Sequence, residues 1–280
     1  MLGATGAKSS CSASFMFNPS AVRPQGTLMR KLVLLAALFS PMALAQAIIV
    51  APHSLMRLPG NSSVLQVERL EVADYGTLLI PAGIDDVKIG ELVLGHEARI
   101  AIVPGVQAFN LVVVHGEFGT GSQITARGAP GTFEKPALPG RNLTLRLQSL
   151  NAEQLSIDAR GGAGSPGYVG LDGGTGEEPG CTWGQAGRGY NGDSGGNGHD
   201  GAAGAQVRLE LPQSFPAERI KVNVAGGAAG KGGEGGKAGK GGASKGCIVY
   251  RADGGKPGRP GEPGLPGVAG PAGSLILQRL

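Results

Sequence analysis

The sequence predicts a mostly β protein: a β-solenoid, or alternatively a stack of β-hairpins, carrying an inserted four-run bundle of polyglycine/polyproline-II-type helices. Three observations predict it. Residues 65–160 alternate apolar and polar with period two, the pattern of half-buried strands. The pattern recurs about every 22 residues, a length that suits one rung of a stacked β architecture. Glycine then takes every third position in four runs, 161–176, 189–204, 227–242 and 255–273.

The start of the 280-residue chain carries an export pattern. Met29-Arg30-Lys31, followed by the apolar stretch Leu32 to Phe39, reads as the charged and apolar parts of a signal peptide spanning 29–45. Ala43-Leu44-Ala45 fits the small-residue cleavage rule, which makes Gln46 the expected first mature residue. Residues 1–28 then read as a superfluous extension, with translation expected from Met29 and an N-terminal cap over 46–64. The apolar stretch is too short for a permanent membrane anchor. The formal charge of +4 comes from 25 basic and 21 acidic residues. Four of the basic ones, Lys8, Arg23, Arg30 and Lys31, precede Gln46 and no acidic residue does, so the mature chain carries 21 of each. A nucleic-acid partner is not expected from such a balance. Processing also removes Cys11 and leaves Cys181 and Cys247 in an oxidising compartment, where two thiols combine. His53, His96, His115 and His199 are scattered, so neither a metal nor another cofactor is expected.

The strand repeat runs in copies. Leu65 to Gly83, Val87 to Gly105, Phe109 to Gly128 and Leu143 to Gly161 share one outline: an apolar strand, a short turn, and a second strand closing on glycine. Val207 to Gly226 is a fifth copy and Ser274 to Leu280 begins a sixth. The β-repeat domain is therefore placed at 65–160, completed by 205–226 and 274–280. The regular period favours the solenoid, while hairpins also give two strands per copy. Insertions follow the third, fourth and fifth copies at one point of the repeat: a short one over 129–142, then two Gly-X-Y hairpins over 161–204 and 227–273. Loops leaving a common point project from one edge of a scaffold.

Glycine at every third position suits a three-residue-per-turn extended helix, whose glycine column lets neighbouring helices approach closely. Two hairpins of two runs each are thus expected to lie side by side. In the third run Lys231, Lys237 and Lys240 form a charged column that reads as a solvated face. The prolines of the fourth run, lacking an N–H, are expected to face outward. If the hairpins adjoin, their tips meet and a Cys181–Cys247 disulfide follows. Trp183 and Tyr250 lie near these cysteines, and with Arg188 and Arg251 they are the candidate binding residues at the tips.

The fourth run, Gly-Lys-Pro, Gly-Arg-Pro, Gly-Glu-Pro, Gly-Leu-Pro, resembles collagen, and the chain as a whole resembles bacterial collagen-like Gly-X-Y proteins. Its first three runs are poor in proline and are more similar to glycine-rich bundle proteins, such as the snow-flea antifreeze protein and phage tail adhesin tips. That resemblance implies an intramolecular bundle, and a monomer in preference to a collagen-like trimer.

Other motifs weigh less. Gly162-Ala-Gly164-Ser-Pro-Gly167 matches a dinucleotide fingerprint, but more glycine triplets follow where a helix is required. Gly195-Gly-Asn-Gly-His-Asp200 begins like a calcium nonapeptide without its tandem copies. Asp85-Asp86 reads as a solvated turn, and Glu91 with Glu97 is the nearest approach to an acid–base pair. The expectation is an exported, non-enzymatic structural or binding protein that attaches to a surface glycan or protein, or assembles outside the cell. A carbohydrate-active β-solenoid enzyme and an ice-binding protein are the alternatives.

Overall fold

The strands in chain order are β1 (Ala47–Val50), β2 (Leu55–Arg57), β3 (Val64–Val72), β4 (Thr77–Ile80), β5 (Asp86–Leu94) and β6 (Arg99–Ile102). Next come β7 (Phe109–Phe118), β8 (Ser122–Thr125), β9 (Leu143–Ala152) and β10 (Leu155–Asp158). β11 (Gln206–Leu211) and β12 (Ile220–Asn223) separate the two glycine-rich insertions. β13 (Lys245–Gly246) and β14 (Arg251–Ala252) lie within the second insertion, and β15 (Ser274–Arg279) follows it. The computed structural model describes residues 47–181 and 184–280. The expected extension 1–28, the signal peptide 29–45, Cys11 and Trp183 lie outside the described residues.

Two sheets result, each built from alternate strands. β1, β3, β5, β7, β9, β11 and β15 form a seven-stranded sheet, and β2, β4, β6, β8, β10 and β12 a six-stranded one. Every pairing in both is parallel. Ala47 stands beside Arg69 and Val64 beside Asp86, a step of 22 residues. The two sheets contribute to one apolar core: Ile89, Leu92 and Leu94 from β5 and Val113 and Phe118 from β7 on one side, Leu78, Ile80, Ile100 and Ile102 from β4 and β6 on the other.

Two local devices shape this core. Pairing along the long strands passes over Glu68, Gly90 and Val114, so the inward face shifts from Val67 to Leu70, from Ile89 to Leu92 and from Val113 to Gly116. A single unpaired position per strand bends the ladder and exchanges the faces beyond it. The first four turns, from β1 to β2, β3 to β4, β5 to β6 and β7 to β8, each pass through a residue in the left-handed region: His53 (φ 52°), Tyr75 (φ 58°), Glu97 (φ 49°) and Gly121 (φ 77°). The turns stack, with His53 N–H donating to Asp74 O at 3.1 Å and Tyr75 N–H to His96 O at 2.9 Å. The rings of His53 and Tyr75 lie parallel, 4.8 Å apart.

This architecture corrects the predicted fold class. Among the described residues the strands form two open parallel sheets, each strand paired with its counterpart in the neighbouring copies, and no closed solenoid is seen. Stacked hairpins are overturned as well, because the two strands of a copy bond to neighbouring copies and not to each other. The predicted helical bundle is not seen either. Among the described residues the helical element is a 3-10 turn, Ala217–Arg219, and the glycine runs carry none. Polyglycine II and collagen-like features are likewise not shown. No internally hydrogen-bonded helix forms in the runs, because their amides bond sideways to other runs and not along their own.

The four runs form an array stitched by backbone hydrogen bonds of 2.7–3.0 Å. Glycine amides of run 1 (161–176) donate to run 3 (227–242), from Gly164 to Ala228 O through Gly176 to Lys240 O. Those of run 2 (189–204) donate to run 4 (255–273), those of run 3 to run 2, and those of run 4 to run 3. The second residues of the run 2 triplets also donate to run 1, as Tyr190 does to Gly174 O, so runs 2 and 3 each touch the other three. Close approach demands glycine here: a Cβ on Gly233 would overlap the carbonyl oxygen of Tyr168. Pro257, Pro260, Pro263 and Pro266 are exposed, as a residue without an N–H requires. A column of side chains in run 2 completes the stitching. Asn191, Asn197 and Asp200 accept hydrogen bonds from the N–H groups of Arg259, Leu265 and Val268 at 2.7–2.8 Å.

Candidate functional site

The far end of the second insertion folds back as a small hairpin. β13 and β14 pair antiparallel, Lys245 beside Ala252 and Gly246 beside Arg251. Cys247 N–H donates to Tyr250 O at 2.7 Å and Tyr250 N–H returns to Cys247 O at 3.4 Å, which closes a turn over Ile248 and Val249. Turn positions ordinarily hold polar or glycine residues. Here both central residues are aliphatic, β-branched and fully exposed.

Two ties hold this turn to the first insertion. A disulfide joins Cys247 to Cys181, with Cα atoms 5.7 Å apart across 66 residues of chain. Tyr250 Oη donates to Gly184 O at 2.5 Å. Gly184 has φ 133°, a conformation that side chains rarely adopt, so the acceptor is presented by a residue that must be glycine.

Beside the turn lies a hollow of about 450 Å³, whose lining includes Gln185, Arg188, Tyr250, Arg251, Asp253 and Lys256. Three cations face one carboxylate there, giving it a basic character. A second hollow of about 420 Å³ is lined by Cys181, Gly246, Cys247, Ile248, Val249 and Tyr250. Tyr250 lines both the basic hollow and this apolar one. The arrangement offers contact and charge.

Of the residues singled out in the sequence, Tyr250, Arg188 and Arg251 line one hollow, and Cys181 and Cys247 fasten it. Trp183 lies outside the described residues. The reading of the sequence passed over Ile248 and Val249. The signal was two β-branched residues between Cys247 and Tyr250, where a turn favours polar ones. It also passed over the shared triplet register of Asn191, Asn197 and Asp200, which accounts for the asparagine and aspartate of the calcium-like motif. The dinucleotide-like motif lies in run 1, which carries no helix.

Elsewhere, Glu91 is engaged by Arg69 at 2.7 Å, whereas Glu97 lies exposed 3.9 Å from His96. Asp85 differs from the solvated turn expected of it. Its carboxylate accepts a hydrogen bond from the buried Arg141. Among the described residues no three His, Cys, Asp or Glu side chains gather as metal ligands. No family model matches the chain, no curated protein matches it, and no solved structure matches its fold.

Proposed function

We propose that this is an exported, non-enzymatic binding protein that attaches to a surface through the tip of its glycine-rich array. The exposed pair Ile248 and Val249 carries the reading. Burying an aliphatic side chain of this size on a partner contributes about 1.5–3 kcal/mol each. The turn is pinned by its own hydrogen bonds, the disulfide and the Tyr250 hydroxyl, so little conformational freedom remains to be lost on contact. Arg188 and Arg251 add a basic rim, which suits a glycan or protein surface bearing acidic groups.

The test is binding of the mature protein to whole cells and to immobilised glycans, compared with an Ile248→Asp/Val249→Asp variant. Lost binding with an unchanged unfolding midpoint is the expected result. Binding that survives both substitutions overturns the assignment of the tip.

A further inference from the structure

A second surface, away from the tip, has a chemistry of its own. The second residue of each triplet in run 1 lies alongside its counterpart in run 2, because the amides of His199, Gly196, Asp193 and Tyr190 donate to the carbonyls of Ser165, Tyr168, Leu171 and Gly174 at 2.8–2.9 Å. Large and absent side chains thus alternate across the seam, Tyr168 against Gly196 and Tyr190 against Gly174.

The ring of Tyr168 lies flat on its glycine. A Cβ built on Gly196 would fall 2.5 Å from Tyr168 Cε1 and 3.0 Å from Cγ, distances that only a point above the ring plane satisfies. One face of the ring is therefore seated on the backbone and the other is turned outward, leaving the residue 63% exposed. Tyr190 is 64% exposed, with its Cδ2 3.4 Å from where a Gly174 Cβ would stand. Six residues separate Tyr168 from the level of Tyr190, a span of at most about 20 Å.

Polar groups punctuate this row. Asp193 lies opposite Leu171 between the two rings, and among the described residues its carboxylate has no hydrogen-bond partner. At the other end His199 Nδ1 meets Ser165 Oγ at 2.8 Å, which leaves Nε2 uncommitted. Ser165 Oγ also donates to Thr132 O at 3.0 Å, bringing the turn with the exposed Phe133 to the same end of the seam.

We infer that this seam between runs 1 and 2 is a binding site for a flat, β-1,4-linked neutral polysaccharide. Pyranose rings present C–H faces that stack on aromatic rings, and edge hydroxyls that donate to a carboxylate or imidazole. The seam offers those features in a straight line. A protein partner covers about 800 Å² of continuous surface, whereas Tyr168, Leu171 and Tyr190 make a single line of side chains at second triplet positions, broken by the Asp193 carboxylate. A lipid surface would strip water from Asp193 without replacing its hydrogen bonds. A β-1,4 chain is an extended ribbon, and it matches a face whose backbone is already fixed by lateral hydrogen bonds. This site does not depend on the tip.

Native affinity electrophoresis tests the inference, with hydroxyethylcellulose, glucomannan and xylan in the gel and pullulan as an α-linked control. At least one β-1,4 polymer retards the protein and pullulan does not. Tyr168→Ala and Tyr190→Ala each weaken retardation about tenfold. Tyr168→Phe, which keeps the ring, and Ile248→Asp/Val249→Asp, which alters only the tip, both retain it. Retardation by none of the three polymers, retardation of both alanine variants equal to that of the unsubstituted protein, or loss in the tip variant alone would each overturn the site.

Discussion

Arg141 reaches out of the short insertion into a site closed to solvent and donates to Asp85 Oδ1 at 2.6 Å. The same guanidinium donates to Ile84 O at 3.0 Å and Gln107 O at 2.9 Å, and sits 5.3 Å from the centre of the Phe109 ring. One side chain thus ties the turns that precede β5 and β7. Burial pulls its pKa below the ordinary arginine value, with Asp85 opposing the shift.

Removing that side chain strands Asp85 and the carbonyls together. Arg141→Met is expected to cost about 3–5 kcal/mol, measured by urea unfolding. The double variant Arg141→Met/Asp85→Asn recovers part of the loss, since the lone carboxylate goes with its partner.

Asp158 closes β10 where run 1 begins, and holds Arg160 through hydrogen bonds of 2.9 and 2.7 Å. Burial alone would raise its pKa. The hydrogen bonds from Arg160, with the charges of Arg160 and Arg127, outweigh burial and lower it. A carboxylate whose folded pKa is depressed stabilises the fold above its unfolded value of about 3.9, and that stability is lost as pH falls through the lower folded value. The unfolding midpoint should therefore drop on acidification below that range. In Asp158→Asn this part of the pH profile flattens.

The array's dependence on glycine is testable at a single position. A Gly233→Ala methyl meets backbone that cannot move without breaking neighbouring hydrogen bonds, and should destabilise by about 1–3 kcal/mol. Gly60→Ala is the matched control, because its nearest neighbour would be Pro81 Cγ at an ordinary 3.5 Å. Thermal unfolding of both variants gives the comparison.

The Cys181–Cys247 bond closes 66 residues, and in the entropic description such a loop contributes about 4 kcal/mol. The Cys181→Ala/Cys247→Ala protein should unfold at correspondingly lower denaturant concentration. Adding reductant to the native protein should move it to the same midpoint.

The strand positions were legible because each copy alternates apolar and polar residues, and β3 to β10 lie within the repeats read from that pattern. The sheet arrangement was not, since alternation marks which residues point inward and leaves open whether successive strands pair with each other or with the next copy. The bend at Glu68, Gly90 and Val114 was hidden too, because a change of inward face looks like noise in a two-residue period. Arg141 escaped notice because an arginine in a Pro- and Gly-rich loop reads as exposed, and its burial depends on carbonyls up to 57 residues away in the chain. The glycine runs announced the close backbone contact, yet their spacing was read as a helical bundle, and the runs carry no helix. At the tip the cysteines marked the place, and the exposed aliphatic pair beside them was overlooked because it resembles a buried strand.

The stitching of the array also sets an order of events in time. Gly164 of run 1 bonds to Ala228 of run 3, and Gly189 of run 2 to Lys256 of run 4, so each early run waits for a partner more than sixty residues behind it. A chain halted after run 2 would leave the glycine amides of run 1 without their acceptors. Such distant closures make for slow folding. The last glycine run to emerge is therefore the one whose arrival completes the ordering of those already made.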